Sequence, residues 1–106
     1  MKKIGMFCFA GMSTSVLVKK MNEYAVSNNL NCTIEAYSET EIASRVKNLD
    51  IVLLGPQIKY MKSRVEGICK PLNVPVMVVS NVDFGRMDAT HVLTEALALL
   101  SMNNEK

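Results

Sequence analysis

Three features of the sequence predict an α/β fold in which helices cover both faces of a four-stranded parallel sheet. Four short apolar runs alternate with four stretches at helical spacing, the connections are short, and no repeat or low-complexity segment breaks the order. At 106 residues, with 49% hydrophobic and 21% charged residues, the chain has the size and composition of one folded domain over 1–106.

The first run, Ile4 to Cys8, reads as a strand that feeds a helix over about Thr14 to Asn28. Leu17, Val18, Met21 and Ala25 form the apolar face of that helix, and Asn28-Asn29 ends it. The second run, Cys32 to Tyr37, alternates Cys32/Ile34/Ala36 with Thr33/Glu35/Tyr37. A period of two with one polar face predicts a half-exposed edge strand. Ser38 and Glu41 have the spacing of a capping box and start a short helix carrying Ile42, Ala43 and Val46. The third run, Ile51 to Leu54, is apolar on both faces, as a central parallel strand requires. Gly55-Pro56 turns the chain into a helix that buries Ile58, Met61, Val65 and Ile68. Pro75 opens a fourth strand, Val76 to Val79. Asp88 caps a last helix with the face Leu93, Ala96, Leu97 and Leu100, and Ser101 to Lys106 are expected to fray.

Right-handed crossovers limit the strand orders, and 2-1-3-4 puts the polar alternator at an edge and the apolar third strand inside. The expected architecture is a three-layer αβα sheet, flavodoxin-like or Rossmann-like. Its topological switch lies between strands one and three, where the loops Phe9 to Ser13 and Gly55-Pro56-Gln57 meet.

Composition excludes several functions. Twelve Lys+Arg against ten Asp+Glu leave a net charge of +2 with the basic residues scattered, and aromatics are 6% with no Trp. Nucleic acid is therefore not an expected partner, since neither a basic stripe nor a stacking platform is present. Met1-Lys2-Lys3 and the apolar stretch after it mimic a signal peptide, but two glycines and Ser13-Thr14-Ser15 favour a strand entering a helix. No run is long enough to cross a bilayer, so no membrane insertion is expected. Three irregularly spaced cysteines give no disulfide framework and point to a reducing, cytoplasmic setting. With one histidine, His91, a metal site is not expected, and neither dinucleotide nor P-loop glycine fingerprints occur, so no cofactor is expected.

Cys8 is the residue expected to carry chemistry. It ends strand one and is followed by Phe9-Ala10-Gly11-Met12-Ser13-Thr14-Ser15, mostly small or hydroxylic, with a helix beginning inside. Backbone amides at such a turn form an anion nest aided by the helix dipole. That setting favours a thiolate, and the same donors would hold a phosphoryl group on the sulfur. Cys32, on an inward strand face, and Cys69, near a helix end, read as small buried hydrophobes. His91 reads as a surface or capping residue without triad partners, and Asp83 and Asp88 suit turn and cap duties as well as a site.

The loop is comparable with that of low-molecular-weight tyrosine phosphatases and arsenate reductases, whose C-x5-R arginine clamps phosphate. Thr14 stands at the arginine position here. Without that guanidinium, hydrolysis of a phosphocysteine should be slow, which is what a relay requires.

Cys8 to Ser15, together with Val52-Leu53-Leu54-Gly55-Pro56-Gln57-Ile58 and Tyr60-Met61, resembles a known family over essentially the whole chain. It is the enzyme IIB component of the phosphoenolpyruvate-dependent sugar phosphotransferase system, lactose/cellobiose/chitobiose type. Phe9 departs from the small or hydroxylic residue expected there. The resemblance implies a phosphocysteine–sugar phosphotransferase with Cys8 as the acceptor. The phosphoryl group would come from a phosphohistidine on a IIA partner and pass to a sugar held by a membrane IIC permease. Phe9, Ala10, Gly11, Met12, Ser13, Thr14 and Ser15 would hold it, with Gln57 and Tyr60 as a second wall. Gln57 serves equally as a first-turn helix residue bonded to nearby backbone, and Tyr60 as a packing residue. An apolar rim of Phe9 and Met12 would suit two successive transient partners.

Two other readings compete. A thiol phosphatase or arsenate-reductase-like enzyme needs Thr14 to do an arginine's work, or Cys32 or Cys69 to resolve a disulfide. A noncatalytic flavodoxin-like module, binding an anion or a partner, would not need Cys8.

Overall fold

A computed structural model of the chain describes residues 1–9 and 12–104. Its strands β1 (Lys2–Cys8), β2 (Cys32–Ser38), β3 (Ile51–Leu54) and β4 (Val76–Val78) form an all-parallel sheet ordered β2-β1-β3-β4. The expected α/β architecture and strand order are what the molecule adopts. In register, Phe7 pairs with Leu54 and Cys8 with Ser38, so Cys8 stands at the carboxyl end of the sheet beside the last residue of β2.

Helices α1 (Met12–Ser27) and α5 (Ala89–Asn104) pack on one face, where Leu17, Met21, Leu93 and Ala96 meet Ile4, Met6, Ile34, Ile51 and Leu53. The short α2 (Ile42–Arg45) and α3 (Lys62–Cys69) cover the other face with Val46 and Val65 against Phe7, Val52 and Leu54. Alternation along β1 sends Phe7 to the α2/α3 side and Met6 to the α1/α5 side. The same alternation carries Cys8 toward α1.

The helix stops follow from backbone geometry. Asn29 takes φ 55°, the Leu30 amide donates to the Ala25 carbonyl at 2.8 Å, and the Asn29 amide donates to that of Val26 at 3.2 Å. This is a Schellman closure, and Asn tolerates its left-handed residue. The Ser38/Glu41 capping box forms as expected, and Asp88 Oδ1 accepts from the His91 amide at 3.1 Å at the start of α5.

Four local expectations fail. Ala43 is exposed, because α2 is a single turn whose inward face is filled by Ile42 and Val46. Ala36 is exposed as well, since it lies beside the opening at Cys8. Ser101 to Asn104 are helical, with Asn103 Nδ2 donating to the Asn73 carbonyl at 3.2 Å, while Glu105 and Lys106 lie outside the described residues. A separate helix, α4 (Asn81–Arg86), precedes α5, capped by Ser80 Oγ accepting from the Asp83 amide at 3.1 Å. Six residues are too few for a periodicity signal to reveal it.

Gly67 lies inside α3 with open space where a Cβ would stand. Gly67→Ala is expected to raise the unfolding free energy by about 0.5–1 kcal/mol, chiefly by restricting the unfolded chain. Urea denaturation of the two proteins checks it.

Candidate active site

Cys8 is 4% exposed, and its sulfur has two oxygen neighbours. Sγ donates to the Phe9 carbonyl at 3.2 Å and meets the Thr14 hydroxyl, which can donate to the sulfur. Thr14 is the third residue of α1 and is also 4% exposed. Thr14 and Asp83 are the buried polar side chains among the described residues. The first amides of a helix lack intrahelical partners, and its dipole is positive at that end. The Thr14 contact therefore brings the sulfur against the anion-attracting end of α1.

Of the other residues expected to cradle phosphate, Phe9, Ser13 and Ser15 are exposed at this end of the sheet. Met12 opens α1. Ala10, Gly11 and the side chain of Met12 lie outside the described residues.

Toward β3 the site is closed by Gly55. Its amide donates to the Phe7 carbonyl at 2.8 Å, and a Cβ there would fall 2.8 Å from Cys8 Cβ and 2.7 Å from Gln57 Oε1. Gly55 has ordinary extended angles (φ −63°, ψ 153°), so close approach rather than conformational freedom demands glycine. The loops after β1 and β3 thus meet as expected, and the Gln57 oxygen comes to the point that flanks Cys8. Tyr60 does not pack: it is 71% exposed, because the six-residue turn Pro56–Met61 directs Pro56 and Ile58 into the core instead.

Toward β2 the site is open. A depression of about 250 Å³ is bounded by Cys8, Phe9, Thr14 and Ser15 on one side and by Ala36, Tyr37, Ser38 and Glu41 on the other. Patterning of the sequence did not mark this second side. The available signal was the capping box itself, since the order 2-1-3-4 puts the end of β2 beside Cys8.

The Arg45 guanidinium holds the Glu41 carboxyl below the usual carboxylate range, helped by the Ser38 amide. Burial pushes the Cys32 thiol up, and burial with Glu66 pushes that of Cys69 up to about 11. Cys32 pairs with Lys2 at the far end of the strands, about 20 Å from Cys8 along β1. Cys69 lies in the opposite core layer. Neither thiol is placed to resolve a disulfide with Cys8.

His91 has a partner that the sequence reading did not anticipate, because α4 positions it. Nδ1–H donates to Asp83 Oδ2 at 2.7 Å, with Glu95 Oε1 at 3.8 Å from the same nitrogen. Among the described residues, Asp83, His91 and Glu95 are the group whose atoms converge within 4.8 Å and could offer ligands to a metal ion. The hydrogen bond to Asp83 raises the His91 pKa, assisted by the charges of Asp83, Glu95 and Asp88. The stability this contributes is complete below the unfolded histidine value of about 6.5 and is lost as pH rises through the raised folded value. Between pH 6 and 8.5 the wild type should therefore lose stability relative to His91→Gln, as urea midpoints at the two pH values would show.

No helix among the described residues is long and apolar enough to cross a membrane. The family model for the lactose/cellobiose-specific IIB subunit of the PTS system matches residues 3–95. The oligo-beta-mannoside-specific EIIB component of the PTS system of Bacillus subtilis is 36% identical over 100 residues, covering 94% of this chain and 97% of that one. The solution structure of the cellobiose-specific phosphotransferase IIB component from Borrelia burgdorferi superposes with a TM-score of 0.80 at 40% identity, covering 96% and 94% of the two chains. The lactose-specific IIB component domain from Streptococcus pneumoniae shares the fold alone, with a TM-score of 0.81 at 13% identity over 90% of this chain and 96% of that one.

Proposed function

The chain belongs to the lactose/cellobiose-specific IIB subunit family of the sugar phosphotransferase system, and from that premise we propose that Cys8 carries the phosphoryl group between a IIA protein and a sugar bound by a membrane IIC permease. The observation that carries this reading is the Cys8 sulfur held at a strand end against Thr14 in the first turn of α1.

In the first step, Cys8 Sγ attacks the phosphorus of a phosphohistidine on IIA. The S–P bond forms, the P–N bond breaks with its electron pair left on the imidazole, and the thiol proton passes to that nitrogen. In the second step, a sugar hydroxyl attacks phosphorus. The O–P bond forms, the S–P bond breaks with its pair on sulfur, and the hydroxyl proton is released to restore the thiol. Phosphoryl transfer asks mainly for positioning and charge stabilisation. Thr14 and the start of α1 supply both on this chain, and the reaction runs on the cytoplasmic side of the membrane. Threonine rather than arginine stands at the sulfur, so the bidentate guanidinium clamp that a phosphatase of this type uses is not supplied from position 14, which supports a relay over a phosphatase.

Incubation with phosphoenolpyruvate and the upstream phosphotransferase proteins should add the mass of one phosphoryl group to the intact protein. Absence of that gain, or turnover of a phosphotyrosine mimic in its place, would overturn the reading.

Phe9 (48% exposed), Tyr60 and Val82 present apolar surface from the segments that follow β1, β3 and β4, Val82 from the start of α4, all at the carboxyl end of the sheet. Such a rim suits transient protein contacts. Phe9→Ser combined with Tyr60→Ser is expected to slow transfer from IIA about 10-fold while leaving the final extent of phosphorylation unchanged. Stopped-time mass spectra measure both.

A further inference from the structure

We propose that the Glu41–Arg45 ion pair on the β2 side of the depression sets how strongly Cys8 retains its phosphoryl group, Glu41 lowering and Arg45 raising the stability of the phosphorylated state. This rests on the reading of Cys8 as the phosphoryl acceptor.

Glu41 and Cys8 line the same depression, and Ser38, the strand partner of Cys8, bonds Glu41 directly: its amide donates to Glu41 Oε2 at 3.3 Å. Arg45 donates to Glu41 Oε1 through Nε at 3.2 Å and Nη2 at 3.0 Å. Its guanidinium also lies 4.6 Å from the centre of the Tyr37 ring, which in turn contacts the ring of Phe7, the residue before Cys8, at 5.4 Å. The guanidinium is therefore engaged on two sides, by the Glu41 carboxylate and the face of the Tyr37 ring.

Stability does not account for this arrangement. An exposed pair spaced by four residues contributes little to folding, and the capping box works with Gln as well as with Glu. The charge itself is thus free to serve the site. A phosphoryl group on sulfur brings about two negative charges at neutral pH. A carboxylate on the wall of the same depression repels them, and the guanidinium beyond it offsets that repulsion. The result is a phosphocysteine kept poised to give up its group rather than held as a stable ester.

The experiment is an equilibrium one. Phosphorylated IIA is mixed with wild type, Glu41→Gln or Arg45→Gln, and the ratio of phosphorylated to free chain is read by intact mass at equal IIA. Glu41→Gln keeps the cap and is expected to raise that ratio about 5-fold, and Arg45→Gln to lower it about 5-fold. Both differences should shrink in 1 M salt, as a charge effect must and a packing effect need not. Equal ratios in all three proteins, or a shift of both variants in the same direction, would overturn the inference alone. A wild type that takes up no phosphoryl group overturns the reading of Cys8 and the inference with it.

Discussion

Cys8→Ser is expected to abolish phosphorylation of the chain and to reduce phosphoryl transfer to sugar at least about 10³-fold. Serine is nearly isosteric, and its hydroxyl can still donate to the Phe9 carbonyl and accept from Thr14, so the fold and the loop should persist. What is lost is the proposed nucleophile, since sulfur is intrinsically far more nucleophilic than a hydroxyl oxygen. Mass spectrometry after incubation with the upstream proteins, alongside circular dichroism to verify folding, separates the two effects. Cys32 and Cys69 provide the control. Both are buried with thiols pushed up by desolvation, so Cys32→Ala and Cys69→Ala should retain the phosphoryl gain at some cost in stability. Retained phosphorylation in Cys8→Ser would remove Cys8 from the chemistry.

Gly55→Ala should carry the second largest effect. The added methyl would meet Cys8 Cβ at 2.8 Å and Gln57 Oε1 at 2.7 Å, both too close for ordinary contact. Gln57 is exposed and can swing away, but Cys8 is fixed in β1 and cannot move without breaking its pairing with Ser38. Overpacking of this kind costs about 1–3 kcal/mol. Displacement of the sulfur from Thr14 should slow phosphorylation about 10²-fold as well. The opposite sign expected for Gly67→Ala, where nothing stands near the new methyl, makes the pair informative. Wild-type rates in Gly55→Ala would mean that Gly55 does not position Cys8.

Much of this fold is legible in the sequence because its cues are local or nearly so. Ile51 to Leu54, apolar on both faces, reads as an interior strand, and Cys32 to Tyr37, polar on one face, most simply as an edge strand. Those two patterns with right-handed crossovers leave few orders, and 2-1-3-4 is the one observed. The candidate nucleophile was singled out for the same reason: a cysteine ending a strand, followed by small and hydroxylic residues at a helix start, is a contiguous signal. Helix α4 and the outward turn of Ala43 were not legible, because elements of four to six residues carry too few positions to define a face.

The sequence by itself therefore determined the layered parallel sheet, its strand order and the sulfur at the end of the first strand. The tertiary structure alone decided what surrounds that sulfur: Gly55 pressed against Cys8, an opening toward β2, and on its wall Glu41, bonded to Arg45 behind it. The reason is physical. Apolar periodicity acts within one element and survives in the chain as pattern, whereas a wall around a site is set by the register between strands thirty to fifty residues apart, which only packing of the whole core establishes.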